Sequence, residues 1–266
     1  MQFPDPPAQW RGSIPASPDW HTPPAQPRLV LTGNDIHVWR ALLSCEEAVI
    51  RRLEASLSPD EKSRAGRFVF PRDRDHFIAG RGILRVLLGT YLRRPAAEVG
   101  LAYEPGGKPV LRPGGPDPPI RFNLSHAYGV AVYAFAIGRE VGVDVEAVRP
   151  DGTDDEIAER FFSPREIAEL RSLPHELRHE GFFLCWTRKE AYIKARGRGL
   201  RIPLDSFDVS LTPGKPEELR STDHDRWSLR SLQPAPGYVG AVVAEGKDWG
   251  MRLWDWAGWK MAISDS

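Results

Sequence analysis

The sequence predicts an α+β protein built from two similar halves. The pattern Ser-Pro-x-Glu occurs at residues 58–61 and again at residues 163–166, and each copy precedes a long stretch with helical periodicity. A serine cap, a proline in the first position and an acidic first turn are typical helix starts. Runs with strand character surround both copies of the pattern. The two copies start 105 residues apart, which is too long a period for a solenoid repeat. A duplicated α+β unit accounts for these features.

The elements of the first half follow a proline-rich arm at residues 1–29. Eight prolines in that arm exclude a helix and disfavour a strand. The first half, residues 30–138, then opens with an alternating strand pattern at 36–39. Helices are expected at about 45–57, from 59 onward and at about 73–92. A run at 120–123 and a buried strand at 130–137, bounded by glycines, complete this half.

The second half, residues 139–266, repeats this order. It begins with a strand that contains Asp144 and Glu146. Helices are expected at about 153–160, from 164 onward and at about 176–196. Strands are expected near Phe207, Trp227, Val239 and Leu253.

Composition excludes several classes of protein. The chain has 36 basic and 36 acidic residues, so no overall charge favours nucleic acid or an anionic membrane. Its two cysteines, Cys45 and Cys185, resemble neither a disulfide framework nor a metal site. No apolar run is long enough to span a membrane, and the N-terminus does not resemble a signal peptide. We therefore expect a cytoplasmic protein with no nucleic acid or membrane partner.

The strand pattern around Asp144 and Glu146 is the first candidate site. Val143 and Val145 alternate with the two acids, so both carboxylates should lie on one face and both valines in the core. Residues two apart on a strand are close enough for both carboxylates to reach one hard cation such as Mg²⁺. An ordinary solvated strand face is an equal alternative. Gly142 at the strand start favours the site, because glycine often marks a close backbone approach.

The segment from Trp186 to Lys194 is the second candidate. Helical spacing aligns Trp186, Glu190 and Lys194 on one face, which brings an acid and a base together. A surface ion pair is the alternative interpretation. The residues Gly197-Arg198-Gly199-Leu200 then end the helix, and two glycines beside arginines exceed what a helix stop requires.

Other polar residues allow both structural and functional interpretations. His126, after Ser125, could be a structural histidine or a donor to phosphate. The residues Gly106-Gly107-Lys108-Pro109 could be a simple turn, and they lack the spacing of a Walker loop. The basic run from Lys62 to Arg85 could be solvated helix faces or the binding surface of a phosphate-rich ligand.

Six motifs in order resemble the 4′-phosphopantetheinyl transferases of the Sfp type, over about residues 36–245. The motifs are Gly-Gly-Lys-Pro at 106–109, Phe-Asn-Leu-Ser-His at 122–126, Gly-Val-Asp-Val-Glu at 142–146, Arg-Phe-Phe-Ser at 160–163, Trp-Thr-Arg-Lys-Glu-Ala-Tyr-Ile-Lys at 186–194, and Gly-Arg-Gly-Leu at 197–200 running into Pro203-Leu204-Asp205-Ser206-Phe207. The resemblance implies a monomer with the family's pseudo-duplicated fold, in which coenzyme A binds in the cleft between the halves. The implied activity is transfer of 4′-phosphopantetheine from coenzyme A to a serine of an apo acyl or peptidyl carrier protein, with release of 3′,5′-ADP.

The resemblance also implies roles for individual residues. The metal ligands for Mg²⁺ would be Asp144, Glu146 and Glu190. The catalytic residues would be Asp144, Glu190 and Lys194, with Glu190 or a water accepting the serine proton. The residues in contact with coenzyme A would be Arg64, Arg81, Lys108, Pro109, Ser125, His126, Lys189 and Lys194. Carriers of fatty acid, polyketide and nonribosomal peptide synthesis are all candidate partners.

The resemblance and the charge pattern together suggest a docking surface for the carrier in the second half. It would lie near residues 148–163 and the end of the long helix, and its arginines would complement an acidic carrier helix. The arginines concerned are Arg160, Arg165, Arg188, Arg196 and Arg198. Two rival functions are a Mg²⁺-dependent hydrolase of coenzyme A or nucleotides and a catalytically silent module that binds carriers.

Overall fold

The computed structural model describes residues 19–23, 29–104, 107–113, 119–148, 154–197 and 202–256, and it confirms the α+β class. Most of the proline-rich arm, Gly106 and the segment 198–201 lie outside these residues. The first half contains β1 (Asp35–Leu42), α1 (Glu47–Ala55), α2 (Pro59–Ala65), α3 (Pro71–Leu92), β2 (Leu101–Tyr103), β3 (Pro109–Leu111), β4 (Ile120–Ala127) and β5 (Val130–Ile137). The remaining elements are β6 (Val141–Ala147), α4 (Asp154–Phe161), α5 (Pro164–Ser172), α6 (His175–Ala195), β7 (Asp208–Val209), β8 (Leu219–Arg220), β9 (Trp227–Leu232), β10 (Tyr238–Glu245) and β11 (Gly250–Asp255).

Two larger sheets organise these elements. The first has the order β11-β1-β5-β4, and the second has the order β6-β10-β9. All neighbours pair antiparallel except β1 and β11, which are parallel. The last strand therefore lies in the sheet of the first half, although it belongs to the second half by sequence. A division of the chain at residue 138 stays a prediction. No helix in the described part of the chain combines the length and apolar character needed to cross a membrane.

The two sheets meet where β4 and β6 lie side by side. The backbone N–H of Val143 on β6 donates to the side-chain oxygen of Asn123 on β4, at 2.9 Å. Val143 and Val145 are fully buried against β5, as the alternating pattern predicts. The opposite face of β6 packs on α6. A Cβ atom at Gly142 would lie 2.2 Å from the carbonyl oxygen of Ala191, so only glycine allows this strand to approach the helix so closely.

Each half contains the same buried ion pair between a helix cap and its long helix. Glu61 and Glu166 each complete a capping box with the serine three residues earlier. Nε of Arg85 on α3 lies 2.6 Å from Oε2 of Glu61, and Nζ of Lys189 on α6 lies 2.7 Å from Oε2 of Glu166. All four side chains are at most 4% exposed. The repeated Ser-Pro-x-Glu pattern therefore marks a structural duplication that includes an ionic contact in each core.

A cluster of aromatic rings covers the α3 side of β1. The indole N–H of Trp39 donates to the hydroxyl of Tyr91, and Nδ1 of His37 lies 2.9 Å from the same oxygen. His37 is only 2% exposed. Burial lowers the pKa of His37 to about 4; Asp35 opposes this shift and Arg252 adds to it. The ring is therefore neutral in the folded protein at neutral pH.

Removal of the buried carboxylate at Glu166 should destabilise the protein strongly. Glu166→Gln leaves the ammonium of Lys189 without a countercharge, which costs about 3–5 kcal/mol. Urea unfolding monitored by tryptophan fluorescence measures this loss. The control is Glu47→Gln, which breaks the exposed ion pair with Arg51 and should cost at most about 0.5 kcal/mol. Equal losses in the two variants would contradict a structural role for the buried pair.

Acid should destabilise the fold through His37. Below its ordinary pKa of about 6.5 the unfolded chain protonates this ring, whereas the folded protein resists protonation down to about pH 4. The group's contribution to stability is therefore present above pH 6.5 and is lost as the pH falls toward 4. When the pH falls from 7 to 4.5, the free energy of unfolding of the wild type should decrease. In His37→Phe this decrease should be roughly 2 kcal/mol smaller. His224→Phe, at an exposed histidine, is the matched control, and an unchanged pH dependence in His37→Phe would refute the assignment.

Candidate functional site

Asp144, Ser125 and Lys194 form a closed hydrogen-bonded triangle where β4, β6 and α6 meet. The hydroxyl of Ser125 donates to Oδ1 of Asp144 at 2.7 Å, and Nζ of Lys194 lies 2.6 Å from the same oxygen. The ammonium also donates to Oγ of Ser125 at 3.1 Å. Asp144 is only 3% exposed, because the helix and its lysine cover the carboxylate. The two acidic positions of β6 thus share the face toward α6, but this face is covered rather than solvated.

Glu190 lies one helical turn before Lys194 and is half-buried. Burial raises the pKa of Glu190, the charge of Lys194 lowers it, and the charge of Asp144 raises it. Both charges act on Glu190 because α6 packs its Glu190 and Lys194 face against β6. The helical alignment expected from the sequence therefore brings two carboxylates and one ammonium together.

Asp144 and Glu190 have the hard oxygen donors that a divalent cation binds. Oδ2 of Asp144 is buried and accepts no hydrogen bond, which is unusual for a carboxylate oxygen and leaves it available to a cation. Its neighbour Glu190 supplies a second hard oxygen donor. Among the described residues, however, no three Asp, Glu, His or Cys side chains are close enough to form a complete metal site. Asp144 and Glu190 fit a cation that takes its other ligands from phosphate oxygens and water, and a role for Glu146 stays a prediction.

A line of basic side chains extends from this triangle toward α3. The pKa of His126 is lowered by partial desolvation first and then by the charges of Lys194 and Arg81. The pKa of His76 is lowered by desolvation and by the charges of Arg72 and His126. Nη1 of Arg81 is buried without a hydrogen-bond partner, so this guanidinium can still donate to a ligand. These mutual effects show that the basic side chains lie close together, and a phosphate group bound between them would accept charge-assisted hydrogen bonds.

Arg72 and His76 were not among the individual residues expected to contact coenzyme A, although both lie in the basic run from Lys62 to Arg85. Arg72 precedes His76 by four residues, and this spacing places both on one face of α3. That periodicity within the basic run was the available signal. Arg64, which was expected to contact coenzyme A, is exposed, and its guanidinium stacks over Phe77 at 5.3 Å.

Lys189 was expected to contact coenzyme A, and the structure corrects this assignment. Its side chain is fully buried on the far side of α6, where it pairs with Glu166. It also donates to the carbonyl oxygens of Leu204 and Phe207, both at 2.6 Å. A buried ammonium with three acceptors has no capacity left for a ligand. Adjacency to Glu190 in sequence was misleading because successive helix residues point about 100° apart.

Lys108 and Pro109 lie at the start of β3, beside the end of α6. The ammonium of Lys108 donates to the backbone oxygen of Lys194 at 3.0 Å and lies 3.6 Å from Oε2 of Glu140. Its side chain is 12% exposed, and Pro109 is buried. Lys108 therefore stabilises the C-terminus of the helix that carries Lys194. This contact differs from the direct contact with coenzyme A expected from the sequence.

The arginines expected to dock a carrier in the second half are only partly available. Arg188 is 3% exposed and donates to Ser210 and Ser231, which corrects its placement on the surface. Arg196 pairs with Asp223 at 2.8 Å. Arg160 and Arg165 are exposed, and Arg198 lies outside the described residues.

A wide groove of about 1220 Å³ lies elsewhere in the second half. It runs from Ser163 past Trp227 to Lys247; it contains Arg165 of the expected docking surface but none of the residues expected to bind metal or coenzyme A or to act in catalysis. Among the described residues, no buried unpaired polar atom lines it. Chemistry rather than volume therefore assigns the functional site to the junction of β4, β6 and α6.

Comparison with known proteins shows to which family the chain belongs. Two family profiles match, one described as the 4′-phosphopantetheinyl transferase superfamily over residues 140–243 and one described as 4′-phosphopantetheinyl transferase, N-terminal, over residues 44–137. The chain is 42% identical over 231 residues to the 4′-phosphopantetheinyl transferase HetI of Nostoc sp., which covers 87% of this chain and 96% of that protein. It is 29% identical over 199 residues to the 4′-phosphopantetheinyl transferase Sfp of Bacillus subtilis, which covers 74% of this chain and 86% of that protein.

Among solved structures, a holo-(acyl-carrier-protein) synthase from Bacillus anthracis in complex with CoA (3′,5′-ADP) covers 40% of this chain and 94% of its own, at 20% identity and a TM-score of 0.35. The two profiles together span most of the described chain, and HetI matches over nearly its whole length. The chain therefore belongs to the 4′-phosphopantetheinyl transferase superfamily and is a transferase of the Sfp type.

Proposed function

We propose that this enzyme transfers the 4′-phosphopantetheine group of coenzyme A to a serine of an apo acyl or peptidyl carrier protein, with Mg²⁺ and with release of 3′,5′-ADP. The observation that carries this proposal is the charge arrangement of the site. Asp144 and Glu190 lie at one end, and a line of basic side chains from Lys194 through His126 to Arg81 extends from it. A ligand with a cation-bound diphosphate and a further phosphate fits this arrangement. The cation would lie at the carboxylates and the phosphates along the basic side chains.

The line of basic side chains would hold the phosphates of coenzyme A. His126 and Arg81 would contact the 3′-phosphate, because Arg81 lies close enough to His126 to lower its pKa and Nη1 of Arg81 has no partner. A phosphate between these groups would favour protonation of His126. Lys194 would reach the diphosphate, since its side chain is 28% exposed whereas that of Asp144 is almost inaccessible.

In the proposed reaction, the serine oxygen of the carrier attacks the phosphorus that bears the pantetheine. A new P–O bond forms to the serine, and the P–O bond to 3′,5′-ADP breaks. Lys194 stabilises the negative charge that grows on the departing phosphate. Glu190 would accept the serine proton, directly or through a water, and because a metal-bound carboxylate is a weaker base than a free one, a water is the alternative acceptor.

Asp144 and Glu190 are the residues that would hold Mg²⁺. A bound Mg²⁺ would neutralise part of the diphosphate charge and favour departure of 3′,5′-ADP. Ser125 holds Asp144 in place through its hydroxyl, so it acts here as a positioning residue. We propose Glu146, two residues farther along the same strand face, as a third carboxylate that the cation draws toward the site.

We also propose that the enzyme acts as a monomer in the reducing cytoplasm. Cys185 is a fully buried thiol, and the two cysteines form no disulfide with each other. The balanced charge of the chain gives no attraction to nucleic acid or anionic lipid.

Intact-mass spectrometry of an apo carrier protein tests the proposed function. The carrier is incubated with the enzyme, coenzyme A and Mg²⁺, and a parallel sample contains EDTA. We expect the carrier to gain the mass of one phosphopantetheine group, and we expect EDTA to prevent the gain. Consumption of coenzyme A without a modified carrier would identify a hydrolase. Neither modification nor consumption across acyl and peptidyl carriers would favour a silent carrier-binding module.

Substitutions that keep side-chain shape test the individual roles. Asp144→Asn and Glu190→Gln should each reduce the transfer rate at least about 100-fold, because the site loses a cation ligand. Lys194→Met should lower kcat by about 10²–10³ with a smaller change in KM for coenzyme A. Mass spectrometry of reactions quenched at defined times provides the rates. The matched controls are Glu47→Gln and Lys247→Met, which change exposed ion pairs. Near-wild-type transfer by Asp144→Asn and Glu190→Gln would refute the metal assignment.

A further inference from the structure

Three consecutive apolar side chains, Phe68, Val69 and Phe70, are exposed between α2 and α3. We call them the 68–70 strip. Their exposed fractions are 38%, 85% and 53%. Single exposed apolar residues are common on protein surfaces, but a run of three is unusual unless it contacts a partner. The other large exposed apolar residues of the described chain, Val30 and Tyr103, lie in separate segments.

The strip is held in a fixed shape rather than left loose. The ring of Phe68 packs on Phe77 of α3, with 5.4 Å between centroids. The backbone oxygen of Phe70 accepts hydrogen bonds from the N–H groups of Asp73 and Arg74, which anchors the strip to the start of α3. A surface that is already ordered loses little conformational entropy on binding.

The rim of the strip is strongly basic. Residues 62–74 contain five basic side chains and one acidic side chain. Arg74 pairs with Glu54, and Arg72 lies 3.7 Å from Asp73, whereas Lys62, Arg64 and Arg67 are exposed. An apolar centre with a positive rim complements a protein surface that has apolar side chains surrounded by acidic ones.

The strip adjoins the wall of the candidate site. Phe77, on which Phe68 packs, follows His76, and His76 is close enough to His126 on β4 for the two rings to interact electrostatically. On the proposed function, a folded protein that presents a serine to this site lies near α3 as well as α6. In the second half, Arg188 is buried and Arg196 is already paired, so of the described arginines expected to dock the carrier, Arg160 and Arg165 remain exposed.

We propose that the 68–70 strip and its basic rim form a docking surface for an acidic protein partner, which on the proposed function is the apo carrier protein. This inference rests on the proposed function for the identity of the partner. Apolar side chains of the carrier pack on Val69 and Phe70, and its carboxylates face Lys62, Arg64 and Arg67. The first half thus contributes to recognition of the carrier as well as to binding of coenzyme A.

The test uses the full-length enzyme and three variants. Val69→Asp changes the most exposed residue, Val69→Ser/Phe70→Ser removes the apolar centre, and Arg67→Glu reverses a rim charge. Each should raise KM for the carrier about tenfold or more, with kcat and KM for coenzyme A unchanged. Val30→Ser, at a residue that is 60% exposed in another segment, is the matched control and should change nothing. Circular dichroism confirms that every variant is folded.

Direct binding keeps docking separate from catalysis. The affinity of each enzyme variant for the apo carrier is measured by calorimetry without coenzyme A. Weaker binding by the three variants supports docking of the carrier on the 68–70 strip, even where no transfer occurs. A wild-type enzyme that transfers nothing would refute the proposed function. Unchanged carrier affinity and unchanged carrier KM in Val69→Asp and Arg67→Glu would overturn the docking surface. Loss of sedimentation with phosphatidylserine vesicles in the same variants, with carrier affinity unchanged, would assign the strip to membranes instead.

Discussion

The orientation of α6 depends on the buried ion pair between Lys189 and Glu166. Both side chains are at most 1% exposed, so the pair is stable only if hydrogen bonds satisfy each remaining atom. Glu166 accepts from the backbone of Ser163 and of Val209, and Lys189 donates to two backbone oxygens. These contacts fix the rotation of α6 about its axis. Lys189 is directed into the core of the second half. The next residue, Glu190, is therefore directed toward β6, and so is Lys194 one turn later.

The corresponding pair in the first half shows how the duplicated units have diverged. When Arg85 is aligned with Lys189, Val86 and Thr90 occupy the positions of Glu190 and Lys194. Thr90 merely donates to the backbone oxygen of Val86. The core contact is thus retained in both halves, whereas the reactive acid and base occur in one. In place of these groups, α3 provides Arg72, His76 and Arg81, so each half supplies a different part of the site.

Sequence periodicity predicted the features that depend on local structure. The serine caps at Ser58 and Ser163 and the strand at 130–137 follow from spacing and helix-start chemistry, whereas the convergence of Asp144 with Lys194 was expected only from the family resemblance. The errors concern contacts between distant residues. Lys189 has its partner 23 residues away on another helix, and Lys108 donates to a backbone oxygen 86 residues farther along the chain. Parallel pairing of β11 with β1 joins the two ends of the fold, and no local pattern indicates it.

The charge balance of the site explains why a cation and an anion should bind together. Lys194 neutralises Asp144, and Oδ2 of this carboxylate remains buried without a partner. If Lys194 turned toward a phosphate alone, it would leave Asp144 as a buried uncompensated charge beside Glu190, which is costly. A cation at the two carboxylates removes this cost and frees the ammonium. On the proposed function, phosphate binding by Lys194 and cation binding by Asp144 and Glu190 would therefore be thermodynamically coupled, because the first opens the ion pair between Lys194 and Asp144 and the second replaces the lost countercharge.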